Sequence, residues 1–145
     1  MIFLKKVIKK VPHVVTCLLK NKEGKILILK RSDKVRTYRE LWCGISGYVE
    51  KNEEPIDTAY KEINEETGLL KTDVELITQG EKISFSDTYK GEKYNWTVFP
   101  FLFFKKNGKI NIDWEHSVYR WISPSKIEGY DTVPHFLDVV SNLLK

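Results

Sequence analysis

Short runs of β-branched and aromatic residues, some of them alternating with polar residues, recur through most of the chain. This pattern is typical of β-strands. The segments that it predicts to be extended are residues 11–19, 25–30, 41–49, 73–85, 94–104 and 117–122. Because Asn21 and Gly24 suit a tight turn, the first two segments are expected to form a β-hairpin, and the polar residues 86–93 are expected to connect the fourth segment to the fifth.

Two segments have the helical period instead. Residues 54–67 are predicted to form a helix, since Pro55 suits its first turn and Gly68 suits its C-terminal cap. The apolar residues that recur there at helical spacing are Ile56, Ala59, Tyr60 and Ile63. Residues 136–144 are predicted to form a second helix. Strand-rich elements with one central and one terminal helix predict an α/β sandwich rather than a helical bundle or an all-β barrel.

Composition narrows the class of protein further. The chain has 145 residues, of which 41% are hydrophobic, so one globular domain is expected and disordered, collagen-like and disulfide-scaffold classes are excluded. The longest uncharged stretch, residues 94–104, is far shorter than the roughly 20 residues of a membrane-spanning helix. The N-terminus lacks the pattern of a secretory signal, so the cytoplasm is the expected location. Cys17 and Cys43 are expected to be reduced and packed.

Acidic residues are concentrated in one part of a basic chain. The formal net charge is +4, yet residues 50–66 hold seven acidic residues against two lysines. An acidic segment in an otherwise basic molecule suggests a site that binds both a cation and an anion. A basic nucleic-acid-binding domain is a remaining alternative, but the lysines are scattered and no recognised nucleic-acid-binding module accompanies them.

Three acidic residues of the predicted central helix share one surface. Glu62, Glu65 and Glu66 lie at i, i+3 and i+4, where like charges destabilise an isolated helix by about 0.2–0.5 kcal/mol per pair. A hard divalent cation such as Mg²⁺ or Mn²⁺, which prefers oxygen ligands, would compensate this repulsion. The alternative is a solvated acidic helix face, and spacing alone leaves both interpretations open.

A longer motif surrounds these acids. Gly47, Glu53 and residues 61–69 resemble the Nudix box, G-x5-E-x7-R-E-U-x-E-E-x-G-U, in which U is aliphatic. Lys61 replaces the arginine of the motif, which keeps the charge but loses the planar fork that binds a carboxylate bidentately. The resemblance implies one Nudix domain over residues 1–145, folded as an α/β/α sandwich with a mixed β-sheet between a catalytic helix and a C-terminal helix.

The resemblance also implies roles for the acids of the helix. Glu65 and Glu66 are expected to be the principal ligands of Mg²⁺, for which Mn²⁺ can substitute. Glu62 is either a further ligand or the group that orients or deprotonates the attacking water. Lys61 is expected to support the neighbouring glutamates.

Further site residues are expected outside the helix. By the same resemblance, Glu53 supports the metal shell, while Ser46 and Gly47 supply close backbone approach and a carbonyl ligand. Glu115 is expected to be an extra metal ligand or an alternative base, and the opposing interpretation is an ordinary loop acid.

The resemblance reaches two more segments. Residues 41–50 and 115–121 are similar to the family's nucleoside triphosphate and dihydroneopterin triphosphate pyrophosphohydrolase branch. The motifs of its ADP-ribose and dinucleoside tetraphosphate hydrolases are not found. Candidate phosphate-binding cations near the box, for which a surface role is the alternative, are Arg31, Lys34, Arg36 and Arg39. The aromatic residues that could stack on a base are Trp42, Trp96, Trp114 and Trp121, of which at most one or two, Trp42 first, are expected in the pocket and the others in the core. The histidines, all expected to be structural, are His13, His116 and His135.

The sequence therefore predicts a Mg²⁺-dependent hydrolase that converts a nucleoside or related triphosphate to monophosphate and pyrophosphate. One alternative is hydrolysis of another nucleoside diphosphate derivative, such as ADP-ribose or a dinucleoside polyphosphate. An alternative of another class is a Nudix module that senses nucleotides without catalysis. The expected partner is a small nucleotide or related polyphosphate, with no stable nucleic-acid complex and no membrane association.

Overall fold

The structure is a computed structural model that describes residues 11–145. Within these residues, eight strands form one sheet, and two α-helices and two short 3-10 helices accompany it. The strands are β1 (His13–Lys20), β2 (Ile26–Arg31), β3 (Trp42–Cys43), β4 (Ile45–Tyr48), β5 (Val74–Gln79), β6 (Ile83–Tyr89), β7 (Glu92–Lys105) and β8 (His116–Ile122). The helices are α1 (Pro55–Thr67), α2 (Phe136–Leu143) and the 3-10 helices Lys71–Asp73 and Pro124–Gly129.

The centre of the sheet is a parallel pair formed by strands far apart in sequence. β1 runs parallel to β7 over its whole length, from His13 opposite Thr97 to Lys20 opposite Phe104. The other strand pairs are antiparallel, so the sheet is mixed. This confirms the predicted mixed sheet and leaves β1 with few partners on its other side.

The predicted hairpin of the first two strands is wrong except at its turn. β1 and β2 pair only where Lys20 faces Ile26, and they then separate. The segment predicted as one strand over residues 41–49 is divided at Gly44, so that β3 pairs with β2 and β4 pairs with β1. The gap between β1 and β2 is thereby filled by two short strands, and β4 is placed directly in front of the central helix.

The polar connection predicted over residues 86–93 is also wrong. β6 continues to Tyr89 and β7 begins at Glu92, with Lys90 and Gly91 forming a tight turn at positive φ of 50° and 79°. Two residues with positive φ are typical of the turn that matches the twist of a β-hairpin. The polar residues of this segment therefore belong to a long, paired hairpin, in which Phe85 faces Trp96.

The helices cover opposite faces of the sheet. Ala59 and Ile63 of α1 pack into a core cluster with the buried residues of one face, including Val15. Phe136 of α2 packs into a second cluster with the alternate residues of the same strands, including Val14. Because successive side chains of a strand point to opposite faces, this alternation places one helix on each side. The predicted α/β/α sandwich is confirmed.

Helix α1 has nearly the predicted bounds. It begins at Pro55 and ends at Thr67, and Gly68 follows at a φ of 77° with its N–H donating to the carbonyl of Asn64 at 2.8 Å. Glycine adopts this left-handed conformation without steric cost, which ends the helix cleanly. The last two turns of α1, which carry the acidic residues, are thus held in a fixed position against β4.

Candidate active site

A cavity of about 360 Å³ lies beside α1 and β4. Its polar lining residues include Arg31, Ser46, Gly47, Glu62, Glu65 and Glu115. These residues come from four parts of the chain that are distant in sequence, and the sheet brings them together. The cavity therefore contains five of the predicted metal-site residues and one predicted substrate-binding residue.

Gly47 allows β4 to approach the helix closely. A Cβ atom added at Gly47 would lie 2.2 Å from Cδ of Glu62, a distance that no real Cβ atom tolerates. The absence of a side chain therefore lets the backbone of β4 pack directly against a carboxylate of α1. One residue earlier, the backbone N–H of Ser46 donates to Oε1 of Glu66 at 3.4 Å. The predicted close backbone approach at these two positions is present in the structure.

Glu62 and Glu66 are buried although both are acidic. Glu66 is 1% exposed, and its Oε2 has no hydrogen-bond partner among the described residues. Burial raises the pKa of Glu66 well above its usual range, and the neighbouring Glu62 raises it further. Burial also raises the pKa of Glu62 to about 7. Two adjacent carboxyl groups thus lie in an environment that disfavours their charged forms.

His116 belongs to the site, contrary to the prediction that it is structural. Its Nε2 lies 3.6 Å from Oε1 of Glu66, and its Nδ1 lies 2.8 Å from Oδ1 of Asp113. Burial lowers the pKa of His116, which favours the neutral ring, and Asp113 opposes that effect. Nε2 also lies 3.9 Å from Sγ of Cys43, which lines the cavity. The sequence signal for the pair of Asp113 and His116 is an aspartate three residues before a histidine that itself follows Glu115.

Glu53 lies outside the described lining of the cavity. Its carboxylate accepts hydrogen bonds from the Thr58 hydroxyl at 2.7 Å, from Lys61 Nζ at 2.9 Å and from the backbone N–H of Glu50 at 3.2 Å. These three donors, in that order, lower the pKa of Glu53 to about 2. The expectation that Glu53 supports the metal shell is not matched by a direct contact, because its oxygens are engaged at the start of α1. Lys61 likewise contacts Glu53 rather than the cavity.

Glu115 and Arg31 line the cavity together. Burial raises the pKa of Glu115, Asp113 raises it further, and the positive charge of Arg31 opposes both effects. Arg31 is held by two hydrogen bonds, from Nε to the Thr37 carbonyl at 2.9 Å and from a terminal guanidinium nitrogen to the Thr37 hydroxyl at 3.3 Å. The cavity thus presents one fixed cation beside its acids.

The other predicted substrate-binding residues are not in the described lining of this cavity. Arg36 and Lys34 are exposed, and Arg39 donates through Nε to the carbonyl of Val35 at 2.6 Å. Trp42 is buried in the core on the side of α2, where its ring packs edge-on against Tyr130 with centroids 5.2 Å apart. Trp42 is therefore a core residue outside the described lining of the cavity.

Residues 10–140 match the NUDIX domain family. The chain belongs to this family. The predictions of a Nudix fold and of an enzyme that hydrolyses pyrophosphate bonds are confirmed. None of the helices in the described part of the chain is long and apolar enough to cross a membrane.

This Nudix chain is similar in sequence or in structure to proteins with different names. It is 28% identical to an RNA pyrophosphohydrolase of Pelagibacter ubique (strain HTCC1062) over 122 residues, 74% of this chain and 73% of the relative. The crystal structure of a MutT protein from Methanosarcina mazei Go1 is 25% identical, with a TM-score of 0.71 over 90% of this chain and 91% of that chain. The E. coli dihydroneopterin triphosphate pyrophosphohydrolase shares the fold at a TM-score of 0.74 and 18% identity, over 90% and 92% of the two chains.

The acids of this Nudix site fit a hard divalent cation by their chemistry. Glu62, Glu65 and Glu66 offer only oxygen donors, and Oε2 of Glu66 is buried without a partner. Across residues 11–145, however, no three His, Cys, Asp or Glu side chains form a ready-made ligand group. The described side chains therefore have the right donors for Mg²⁺, and they would have to move closer together to bind it.

Proposed function

We propose that this Nudix enzyme is a Mg²⁺-dependent hydrolase of a nucleoside triphosphate or related triphosphate, with monophosphate and pyrophosphate as products. The observation that carries the proposal is the buried pair of carboxyl groups, Glu62 and Glu66, of which Oε2 of Glu66 has no partner among the described residues, beside a cavity that also holds Arg31. Burying carboxyl groups lowers the stability of the folded protein, and a bound cation would offset that loss. The sequence resemblance supports the nucleoside triphosphate branch of the family.

Glu62, Glu65 and Glu66 would hold the cation, with Glu115 and the carbonyl groups of Ser46 and Gly47 as further oxygen donors. When bound, Mg²⁺ would neutralise the polyphosphate and lower the pKa of a coordinated water. All of these proposed ligands line the cavity except Glu66, which is not among its described lining residues.

The side chains have separate tasks in this proposal. Arg31, held by Thr37, would bind phosphate oxygens and fix the orientation of the polyphosphate. Glu62, which lines the cavity, would either hold the cation or accept the proton of the attacking water. Glu115 is the alternative acceptor, since it lines the same cavity. His116 would position Glu66 through its Nε2, and Asp113 would fix the ring.

A second candidate substrate is the 5′-triphosphate end of RNA. It is favoured by the relatives named RNA pyrophosphohydrolase, which are 28% and 25% identical to this chain. Such an end contains the same phosphoanhydride bonds, so the same carboxylates would serve. The net charge of +4 would favour association with a polyanion.

The test is product analysis with a panel of substrates, with and without Mg²⁺. The panel includes the NTPs, the dNTPs, a short 5′-triphosphate RNA, ADP-ribose and a dinucleoside tetraphosphate, and products are separated by chromatography. We expect pyrophosphate and a 5′-monophosphate end from a triphosphate, only with Mg²⁺. Release of AMP and ribose 5-phosphate from ADP-ribose alone would instead select the diphosphate-sugar alternative, and nucleotide binding without any turnover would select the sensor alternative.

Two variants make this test specific. Glu66→Gln removes the buried carboxylate and is expected to abolish turnover, whereas Glu128→Gln removes an exposed carboxylate of a 3-10 helix outside the described cavity lining and is expected to retain it. Equal turnover by the two variants would contradict the assignment of the site.

A further inference from the structure

The cavity has two chemically different ends. The acids and Arg31 line one end, and a set of apolar and aromatic residues lines the rest. These apolar residues include Phe85, Trp96, Val98, Val133 and Pro134. None of them belongs to the motif that carries the family resemblance, and the proposed phosphate chemistry uses none of them.

Phe85 and Trp96 are part of a row of near-parallel rings. They face each other across the β6–β7 hairpin, with centroids 6.4 Å apart and planes 23° apart. His135 stacks on Phe85 at 3.9 Å and 26°, and Tyr94 stacks against Trp96 at 5.6 Å and 27°. The flanking rings restrict both cavity residues, so these present fixed aromatic surface rather than mobile side chains.

Trp96 has an unused hydrogen-bond donor. Its Nε1 is buried and has no acceptor among the residues that the structure describes. Indole is a donor only, and a buried donor without an acceptor lowers stability unless a ligand or water supplies one. Because this N–H is buried, a ligand in the cavity would meet the ring of Trp96 rather than its donor.

We propose that Phe85 and Trp96 form the nucleobase subsite of this enzyme, with their rings contacting the base. This inference rests on the proposed function, since it places a nucleotide with its phosphates at the acidic end. A cavity of about 360 Å³ is near the lower limit of small-molecule sites, which favours one base over two. Stacking of bases on aromatic side chains tolerates every base, so modest discrimination among the four bases is expected.

The test compares two ligands that differ only by the base. Binding of the nucleoside monophosphates and of ribose 5-phosphate is measured by titration calorimetry, with no turnover required. The variants are Trp96→Leu, Trp96→Phe and Phe85→Leu, and Trp114→Leu is the control because Trp114 is 63% exposed and outside the described lining. Trp96→Phe keeps an aromatic ring and removes only the N–H.

We expect the wild-type protein and the Trp114→Leu control to bind the monophosphates more tightly than ribose 5-phosphate. Trp96→Leu is expected to reduce this preference about 5-fold or more, with smaller reductions in Trp96→Phe and Phe85→Leu. An unchanged preference in Trp96→Leu would overturn the subsite, as would a proportional loss for both ligands, which would indicate collapse of the cavity.

Failure of the proposed function gives a different result. If no triphosphate is hydrolysed while the base preference depends on Trp96, the subsite stands and the catalytic assignment fails. If triphosphates are hydrolysed while the base preference does not depend on Trp96, the reverse holds.

Discussion

The acidic residues near the two ends of helix α1 lie in opposite environments, one of which lowers the pKa of a carboxyl group and the other of which raises it. At the start, Glu53 accepts three hydrogen bonds, including one from Lys61, and its pKa is lowered to about 2. Near the end, Glu62 and Glu66 are buried and their pKa values are raised. The paired acid stabilises the folded chain, whereas the buried pair opposes folding unless protons or a cation compensate it. The comparison indicates that Glu62 and Glu66 serve the activity of the protein rather than its stability.

The largest expected effect follows from removing the buried carboxylate. Glu66→Gln should lower turnover of triphosphates by about 100-fold or more, because Oε1 and Oε2 then offer no charge to a cation. Glu53→Gln should lower it far less, since the described cavity lining excludes Glu53. Steady-state kinetics of both variants measure this difference, and a larger loss in Glu53→Gln would reverse the comparison.

A smaller effect is expected at His116, which contacts Glu66 but is not itself among the described lining residues of the cavity. His116→Leu removes the polar ring that contacts Glu66 and should raise the Mg²⁺ concentration for half-maximal activity by about 10- to 100-fold. His116→Gln, which can place a polar atom near Nε2, should recover part of that loss. Equal Mg²⁺ dependence in the Leu and Gln variants would show that the residue acts only through packing.

The pH dependence of stability should differ in sign between the two ends. The folded pKa of Glu62 is raised, so the metal-free folded state binds more protons than the unfolded state, and its contribution to stability is lost as pH rises from about 4.5 to about 7. The folded pKa of Glu53 is lowered, so its contribution is present above about 4.5 and lost as pH falls toward about 2.

Urea unfolding of the metal-free protein at a series of pH values measures how stability changes with pH for both residues. Relative to the wild type, Glu62→Gln should gain stability between about pH 5 and pH 8, by an amount on the order of 1 kcal/mol after allowance for solvent screening. Glu53→Gln should lose stability at neutral pH and approach the wild type in acid. A loss of stability in Glu62→Gln at about pH 8 would contradict the conclusion that the charged form of Glu62 destabilises the metal-free fold.

The smallest expected effect concerns the departure from the family motif. Lys61→Arg would restore a planar fork beside Glu53, which Lys61 now contacts through a single 2.9 Å ion pair. Because the pair is partly exposed, the gain in unfolding free energy should not exceed about 1 kcal/mol. Urea unfolding and turnover should both remain near wild type, and a large rise in turnover would mean that residue 61 acts on the cavity.

The sequence predicted those features of the fold that depend on contacts between residues close together in the chain. The bounds and cap of α1 follow from Pro55, Gly68 and the apolar spacing between them. The separation of β1 from β2 does not, because it depends on β4 and on the parallel pairing with β7, which are contacts between distant segments. The single domain over residues 1–145 stays a prediction.

The same limit applies to the site. The spacing of Glu62 and Glu66 predicted a shared face, and Gly47 predicted the close approach of the backbone. The three donors of Glu53 become visible only in the folded helix start, and its support of the metal shell stays a prediction. Trp42 was expected to contact the substrate because a strand pattern does not show that Tyr130 and the core around α2 enclose its ring. His116 was missed because its contact with Glu66 spans distant parts of the chain.

Thermal unfolding with and without Mg²⁺ tests the central claim most directly, because it needs no substrate. A ligand that binds only the folded state raises the unfolding midpoint. We predict that Mg²⁺ raises the midpoint of the wild type and of Glu53→Gln at neutral pH and leaves Glu66→Gln unchanged. An equal rise in all three proteins, or none in the wild type at millimolar Mg²⁺, would contradict the assignment of the buried pair as a cation site.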